Sequence, residues 1–358
     1  MTEQYHVPGP GDPKYGVPGG TIDPGDALDD AEFARLDPAQ DQLDNTVTEH
    51  DPKRYAEEGR GEVRPVGTEE ALVKSRGQWN QALRRFYHDK TAMAGLIVFV
   101  ALSGFALVNT ALNPNGYTNL TTDYLVAPSW KHPFGTTTIG VDLFQACMRG
   151  LIVDLQVAFI VAAVSTIIGI GVGAAAGFFG GKIDAVLMQL VNLILMVPTL
   201  VVLIVLSNTV RNSSDSTVLL ALLVAALSWT YMSRLVRAEF LSLRKRDFIE
   251  AARAIGASPQ RIIFRHMLPN AMGPIAVNTT LTMAGAVLLE STLSFLGLGI
   301  QPPDVSLGHL LFDGQSYATV DWWVFAFPAA ILLLLILSIF VVGDGLQAAV
   351  DPRKSRNR

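Results

Sequence analysis

Long apolar stretches without charged residues alternate with short charged segments along most of this chain. Six stretches come close to or exceed the roughly 20 apolar residues that a helix needs to cross a membrane. They cover residues 91–112, 155–181, 185–210, 216–233, 266–289 and 322–343. Pro198 and several glycines lie inside them, which membrane helices tolerate. The pattern predicts an all-α membrane protein with six transmembrane helices and long loops at 113–153 and about 297–321.

Lysine and arginine are distributed unevenly between the loops. With six spans, 17 of the 20 basic residues after position 75 fall on the side of the N-terminus, and only Lys131, Arg149 and Arg211 fall on the other. Loops rich in Lys and Arg stay in the cytoplasm. We therefore predict a multi-pass protein of a plasma (inner) membrane with both termini cytoplasmic. Residues 80–90 form a basic amphipathic run that either lies on the membrane surface or packs against the spans.

The first 75 residues differ in character from the rest of the chain. They contain 17 acidic and seven basic residues, a formal charge of −10, whereas residues 76–358 carry +5. They are rich in Pro and Gly and show no lasting apolar periodicity, which predicts a disordered acidic cytoplasmic extension. An acidic arm that docks on a partner is the alternative. The segment lacks the basic start and apolar core of a signal peptide.

The composition as a whole is that of a membrane protein. Half of the residues are hydrophobic, 16% are charged, and the mean hydropathy is +0.34. A typical soluble domain has about 25% charged residues. The single cysteine, Cys147, excludes a disulfide scaffold within the chain. We therefore look for function in the membrane spans and in the loops between them.

The loop between the fourth and fifth spans, residues 247–270, is the most informative segment. Asp247 is predicted to cap a helix, with Glu250 at the capping-box position, and Gly256 to end it in the left-handed conformation. Ser258 and Pro259 then begin a second helix. This second helix is expected to end before Pro269. Four apolar residues share one face of the first helix, Phe248, Ala251, Ala252 and Ile255. This face needs cover, either from the protein's own helices or from a cytoplasmic partner.

The sequence EAARAIGASPQRIIFRHMLPN at 250–270 resembles the EAA loop of binding-protein-dependent ABC importer permeases. That pattern is E-A-A, three residues, G, nine residues, a variable position, one residue, then L-P. The chain supplies it with Glu250, Ala251, Ala252, Gly256, Leu268 and Pro269. In that family the loop is the coupling helix, which fits a groove on an ATPase subunit. The resemblance therefore implies that the apolar face is covered by a partner.

Four further segments narrow the resemblance to the C-type permeases of the dipeptide, oligopeptide and nickel family. They are HPFGTTTIGVDLF (132–144), AGFFGGKID (176–184), LSFLGLGIQPPD (293–304) and GDGLQAAVDPR (343–353). There are departures from the pattern. Thr137 and Val141 replace an Asp and an Arg, the G-x-R-x-S-L segment reads GLIVDL at 150–155, and Asn192 replaces an Asp. These missing charges leave the substrate class open.

The resemblance implies a type I ABC importer permease fold (MetI-like) in residues 76–358, with no catalytic residues of its own. It implies a second homologous permease, two ABC ATPases that bind the ATP, an extracellular substrate-binding protein, the lipid membrane, and no nucleic acid. Short peptides are the expected substrate. Nickel or a nickel chelate is the alternative, and a glycan or an opine stays open. Two hypotheses propose a different class of function. The chain is either a membrane scaffold or sensor that docks cytoplasmic proteins, or a secondary transporter.

Motifs for catalysis and for resident cofactors are missing from the sequence. The stretch AGFFGGKI (176–183) lacks two residues of a phosphate-binding loop. The six histidines never occur in pairs four residues apart, so no metal site is predicted. No nucleophile elbow of the form G-x-S-x-G occurs. We therefore expect neither catalysis nor a bound cofactor in this chain.

Polar residues inside the spans are the candidates for lining a translocation path. We predict that Glu290 is the only acid deep in a span, and such a residue usually faces a bundle interior or water. It either contacts a cationic group of the substrate or is a neutral or paired structural residue. Gln189, Asn192 and Asn278 are weaker candidates. Glycines recur every four residues at Gly169, Gly173 and Gly177. This spacing favours close helix packing, with a lining role as the alternative.

Overall fold

The computed structural model describes residues 78–210 and 215–350, which form helices joined by loops and isolated β-bridges. The helices in chain order are α1 (Gln78–His88), α2 (Lys90–Leu112), α3 (Leu143–Phe179), α4 (Gly181–Met196), α5 (Thr199–Val210), α6 (Ser216–Leu243), α7 (Asp247–Ala254), α8 (Pro259–Arg261), α9 (Leu268–Phe295), α10 (Leu307–Gly314) and α11 (Trp323–Val350). A π-helical turn, Ile262–Met267, joins α8 to α9. The predictions for residues 1–75, Arg211 and the basic residues 353–358 lie outside the described residues.

Five helices of the described part are long and apolar enough to cross a membrane. They are α2, α3, α6, the continuous stretch Pro259–Phe295, and α11. α4 and α5 pass the same test only as a pair, and they are bent by 80° at the break that contains Pro198. A proline has no backbone N–H to continue the helical hydrogen bonds. The six predicted spans therefore correspond to five continuous helices and one broken pair.

Three boundaries differ from the prediction. α3 begins at Leu143 instead of 155, because its first turns tolerate charge: Arg149 pairs with Asp304, with Nε and Oδ1 3.1 Å apart. α6 continues past 233 to Leu243. The predicted loop at 297–321 contains the short helix α10. The apolar windows thus located α3 and α6 but not their ends, because helices continue past the charge-free part of the sequence.

The bundle has two ends that differ in their chemistry. We call the end with α1, α7 and α8 the basic end, and the end with the loops 113–142 and 296–322 the loop end. α9 packs between α3, α6 and α11, and α2 packs along α11. At the basic end, Ala82 and Phe86 of the amphipathic helix α1 are buried with Ala92 and Ala349. Of the two alternatives for this run, the structure therefore favours packing against the spans.

Three glycines bring α3 against α6, which form the most extensive helix pair among the described residues. A Cβ atom built on Gly169 would lie 2.5 Å from Met232 Cβ, and one on Gly177 would lie 2.6 Å from Phe240 Cβ. A Cβ on Gly173 would lie 2.5 Å from the backbone oxygen of Ser233. Such distances are far shorter than carbon contacts in packed cores. The two helices can therefore approach this closely only because these positions carry no side chain.

The loop 113–142 folds over the start of α3. His132 Nδ1 lies 2.7 Å from Asp142 Oδ2, and Asp123 receives a 2.9 Å hydrogen bond from Lys131. This hydrogen bond and the charge of Lys131 lower the pKa of Asp123. Thr137 and Val141, the two departures from the family pattern in this loop, contact each other: Val141 N donates to Thr137 Oγ1 at 3.1 Å. A buried hydrogen-bonded turn thus occupies the positions where the family pattern has opposite charges.

Candidate functional site

The coupling segment, residues 247–270, lies at the basic end as a short helix, a glycine turn and the start of a long helix. Gly256 has a φ of +77°, and its N–H donates to Arg253 O at 2.9 Å. An L-residue rarely adopts this left-handed conformation, whereas glycine does so freely. Ser258 then caps the next helix, with its side chain accepting a hydrogen bond from Arg261 N at 3.4 Å. These features of the turn are as predicted.

Two local predictions in this segment are wrong. Arg246, not Asp247, occupies the N-cap of α7, and no side chain caps that helix. Asp247 and Glu250 both lie in its first turn, where negative charge is favourable because the N-terminus of a helix is partly positive. Pro269 does not end the second helix, which continues to Phe295. The π-helical turn before it, with Leu268 N bonded to Ile263 O, widens the backbone just where a proline would clash.

One side of the coupling segment is fixed to the protein's own core. Ile249 and Ala252 of α7 are buried. They pack with Val236 and Phe240 of α6 and with Ile262 of the π-helical turn. Ala252, predicted on the face that needs cover, is therefore covered by the chain itself. The anchoring fixes the direction of α7 relative to the spans.

The other side of the segment presents apolar side chains to the outside. Ile255 is 84% exposed, Phe264 66% and Phe248 42%. Ala251 is exposed beside them. Phe264 was missed from the sequence because apolar residues were sought only on the first helix. Six basic residues occur between positions 244 and 265, so this apolar patch lies within a positively charged surface.

A cavity of about 890 Å³ opens next to the coupling segment, between α1, α6, α9 and α11. Glu239 and Ser242 of α6 line it, together with Asn278 of α9. Asn278 Nδ2 also lies 3.7 Å from the sulfur of Met232. Pro269 lines the cavity, whereas Leu268, the residue before it, is half-buried. One of the predicted path residues therefore faces an open space at the basic end.

The other two amide candidates lie on α4, where Gln189 and Asn192 are exposed. Asn192 Oδ1 accepts a 2.7 Å hydrogen bond from Arg234 Nη2 of α6. One turn further along α6, Arg237 forms a two-pronged ion pair with Asp184 of α4, with Nη2 and Oδ2 2.6 Å apart. Arg234 was missed as a site residue because the apolar window ended at 233, which made it one of the cytoplasmic cations. The structure thus joins α4 to α6 through polar contacts.

Glu290, the fourth predicted path residue, lies apart from Gln189, Asn192 and Asn278. It is fully buried, and it accepts hydrogen bonds from Ser294 Oγ at 2.6 Å and from Ser291 Oγ at 3.3 Å. Ser306, which caps α10, lies 3.0 Å from Ser294 Oγ. The carboxyl therefore belongs to a buried cluster that attaches the loop end to α9.

Glu290 is not the only acid deep in a span, so that prediction is wrong. Asp154 is also fully buried, inside α3. It lies beside Glu290 and near the backbone of Leu307, yet neither of its carboxylate oxygens makes a hydrogen bond of ordinary geometry. It was overlooked because the apolar window was started one residue after it. The sequence did contain a sign that Asp154 is unusual, because it replaces the serine of the G-x-R-x-S-L segment.

We expect Asp154→Asn to raise the thermal midpoint of the purified permease chain in detergent by about 2–4 °C. A buried polar group without a hydrogen-bond partner is destabilising, and two carboxyls side by side are more so. The amide of asparagine is uncharged and can donate to Glu290. The control is Asp215→Asn, at an exposed helix start where the side chain makes no capping bond. A lower midpoint for Asp154→Asn than for the control would contradict this account of the cluster.

The family of the chain follows from two matches to known proteins. Residues 77–128 match the N-terminal TM domain of oligopeptide transport permease C. Residues 167–356, more than half of the chain, match the binding-protein-dependent transport system inner membrane component. The chain belongs to this permease family. The predicted all-α importer permease is confirmed by these matches, and the family consists of non-catalytic subunits of multi-pass inner-membrane transporters.

Alignments with individual relatives extend over most of this permease. It is 41% identical over 271 residues to the oligopeptide transport system permease protein OppC of Mycobacterium tuberculosis (strain ATCC 25618 / H37Rv), an alignment that covers 75% of this chain and 93% of that protein. It is 36% identical over 277 residues to the dipeptide transport system permease protein DppC of Bacillus subtilis (strain 168), covering 77% and 86%. A solved structure of the MetNI methionine ABC transporter in inward-facing conformations matches with a TM-score of 0.48 and 22% identity, over 58% of this chain and 98% of that chain.

Proposed function

We propose that this permease forms half of the translocation path of an ATP-driven importer for di- or oligopeptides, with its basic end in the cytoplasm. A second homologous permease completes the path, two ABC ATPases bind at the basic end, and an extracellular binding protein delivers the substrate. The names of the relatives at 36–41% identity support the peptide class. The excess of Lys and Arg at the basic end supports the orientation of both termini.

The observation that carries the proposal is the apolar patch of the coupling segment. Phe248, Ile255 and Phe264 are exposed, although α7, which contains Phe248 and is capped at its end by Ile255, is anchored by the buried Ile249 and Ala252. An apolar patch with a charged rim marks a protein-protein contact. Because the patch is fixed to the spans, an ATPase bound there can transmit its movement to the membrane part.

Coupling then follows from differential binding. A partner shifts the permease between inward-open and outward-open states only as far as it binds one state more tightly than the other. When ATP closes the two ATPases, each moves with the patch it holds. The turn at Gly256 sets the angle between α7 and the long helix, and Glu250 stabilises the start of α7. Leu268 and Pro269 connect this movement to α9.

The path itself is proposed to run along the side where α4, α6 and α9 carry exposed or half-buried polar groups. These groups are Gln189 and Asn192 on α4, Arg234 on α6 and Asn278 on α9. An exposed amide inside a membrane is favourable only where it meets water or another protein. Glu290 contributes indirectly, as part of the buried cluster that holds the loop end.

Uptake measurements test the proposal directly. A strain that lacks this chain is complemented with the wild type and supplied with a labelled tripeptide or with nickel. We expect the wild type to restore uptake of the tripeptide and not of nickel. Restoration of nickel uptake alone would correct the substrate, and equal uptake with and without the chain would favour a scaffold.

Ile255→Glu is expected to weaken the copurification of the ATPases about tenfold or more, because it places a charge in an apolar contact. The residue is 84% exposed, so the substitution should leave the fold intact. Val320→Glu at the loop end, where the side chain is 75% exposed, is the matched control and should bind ATPase like the wild type. Wild-type ATPase binding by Ile255→Glu would argue against this patch as the docking site.

A further inference from the structure

Two arginines one turn apart on α6 differ in how their charge is used. Arg237 is neutralised by the ion pair with Asp184. Arg234 is exposed, and within the described ranges no carboxylate lies in ion-pair distance of it. Its guanidinium donates a hydrogen bond from Nη2 to Asn192 Oδ1 at 2.7 Å. Asparagine accepts this bond without cancelling the charge, so a full positive charge with free N–H donors remains available.

Arg234 lies well away from the basic end, along the length of α6. A Cβ on Gly180, at the end of α3, would lie 3.0 Å from Nη1 of Arg244, which marks the level of the basic end on α6. Arg234 precedes Arg244 by ten residues, or about 15 Å along a helix. The neighbouring α3 carries no charged residue between positions 155 and 179. Its partner Asn192 is eight residues beyond Asp184 on α4, so the side chain does not turn back toward the basic end.

A charged group at this depth is strongly unfavourable against lipid and is found facing water-filled paths or polar partners. The exposed face of α6 that carries Arg234 also carries Tyr231, 63% exposed, and Ser242. Ser242 lines the 890 Å³ cavity, as does Leu235, the neighbour of Arg234. Residues 234 and 235 point about 100° apart on a helix, so the cavity, lined by Leu235, Glu239 and Ser242, borders the face that carries Arg234. Open space beside this face suits a passage for solute better than a lipid contact.

We infer that Arg234, oriented by Asn192, is an anion-binding residue of the translocation path that contacts the C-terminal carboxylate of a peptide substrate. The inference rests on the proposed function. A guanidinium presents parallel N–H groups that match the two oxygens of a carboxylate, and charge-assisted hydrogen bonds of this kind are the strong ones. The bond to Asn192 fixes one edge of the guanidinium plane and leaves the others for the ligand.

Transport of two tripeptides in proteoliposomes tests the inference, one with a free C-terminal carboxylate and one amidated there. The full complex is used, with binding protein in excess so that both peptides are delivered loaded. Each variant is compared with the wild type for the same peptide, so the preference of the binding protein cancels. Arg234→Gln should lower kcat/KM for the free acid about tenfold to a hundredfold and leave the amide within about twofold.

Asn192→Asp is a second variant that keeps the arginine. A carboxylate at this position would pair with Arg234 as Asp184 pairs with Arg237, so transport of the free acid should fall while the amide is again unaffected. An equal loss for both peptides in both variants would overturn the inference and indicate a structural ion pair, for example with the second permease. No loss for either peptide would overturn it as well.

If the wild-type complex does not transport the amidated tripeptide, Arg234→Lys provides the comparison instead. Lysine keeps the charge, so it should restore transport of the free acid to within about fivefold of the wild type, where glutamine does not. Equal loss in the lysine and glutamine variants would contradict a role for the charge. Failure of the wild type to transport either peptide would instead refute the proposed function, which keeps the two failures distinct.

Discussion

Replacing Gly256 by proline is expected to lower peptide uptake about tenfold or more while the permease still reaches the membrane. Gly256 has a φ of +77°, which the proline ring, fixed near −65°, cannot adopt. The substitution also removes the N–H that donates to Arg253 O at 2.9 Å. The chain must therefore leave α7 in a different direction, which moves Ile255 and the rest of the apolar patch relative to the spans. The measurement is uptake of a labelled tripeptide, with ATP hydrolysis followed in parallel.

Gly256→Ala is the graded control for this prediction. Alanine keeps the N–H, and the left-handed conformation costs it about 1–2 kcal/mol. A Cβ at this position meets no atom within 4 Å, so conformation is the only effect of the substitution. Uptake should lie between those of the wild type and the proline variant. Normal peptide uptake by Gly256→Pro would refute a role for the turn in coupling.

Gly173→Leu is expected to destabilise the permease by about 3 kcal/mol or more, the upper range for an overpacked core. The atom nearest to a Cβ here is the backbone oxygen of Ser233, at 2.5 Å, followed by Val236 Cβ at 2.7 Å. A backbone atom cannot rotate aside as a side-chain end can, so α3 and α6 must separate. Because α3 and α6 form the most extensive helix contact in the described part of the chain, the thermal midpoint of the purified chain should fall sharply.

The same helix offers a matched control two residues away. A Cβ on Gly171 would meet no atom within 4 Å, so Gly171→Leu should leave the thermal midpoint of the purified chain nearly unchanged. The two variants add the same side chain to the same helix and differ only in the face that receives it. Leucine is a better helix former than glycine, so equal destabilisation by both variants would contradict the packing of α3 on α6 as the cause.

The positions of the spans could be predicted from the sequence because each needs an apolar stretch of a set length. Their ends could not. Arg149 and Asp154 pointed to a loop, yet both lie in α3, because Asp304 pairs with the first and the fold buries the second. Asp304 lies 155 positions from Arg149, and the surroundings of Asp154 also come from distant parts of the chain, so no local pattern contains these contacts. The 80° bend between α4 and α5 coincides with a residue, Pro198, that the sequence does contain.

The coupling segment shows the same division between local and distant causes. Gly256, Ser258 and Pro259 act through their own backbone preferences, so the turn could be predicted. Pro269 was expected to end a helix, and only the π-helical turn before it allows the helix to continue. That turn is stabilised by the burial of Ile262 and Met267 against other helices, which a single sequence does not reveal. Arg234 escaped notice for a related reason, since its surroundings depend on how α4 packs beside α6.

The helical stretch from Pro259 to Phe295, which includes the π-helical turn, runs from the basic end of the permease to its loop end. Its 37 residues correspond to a rod of about 55 Å. One terminus continues into the coupling segment, and the other carries Ser294, which is bonded to the cap of α10. If the stretch tilts as one body by about 10°, its distant terminus moves by about 10 Å. A small angular change imposed at one membrane surface would thus become a displacement of several side-chain widths at the opposite surface, without any element in between having to unfold.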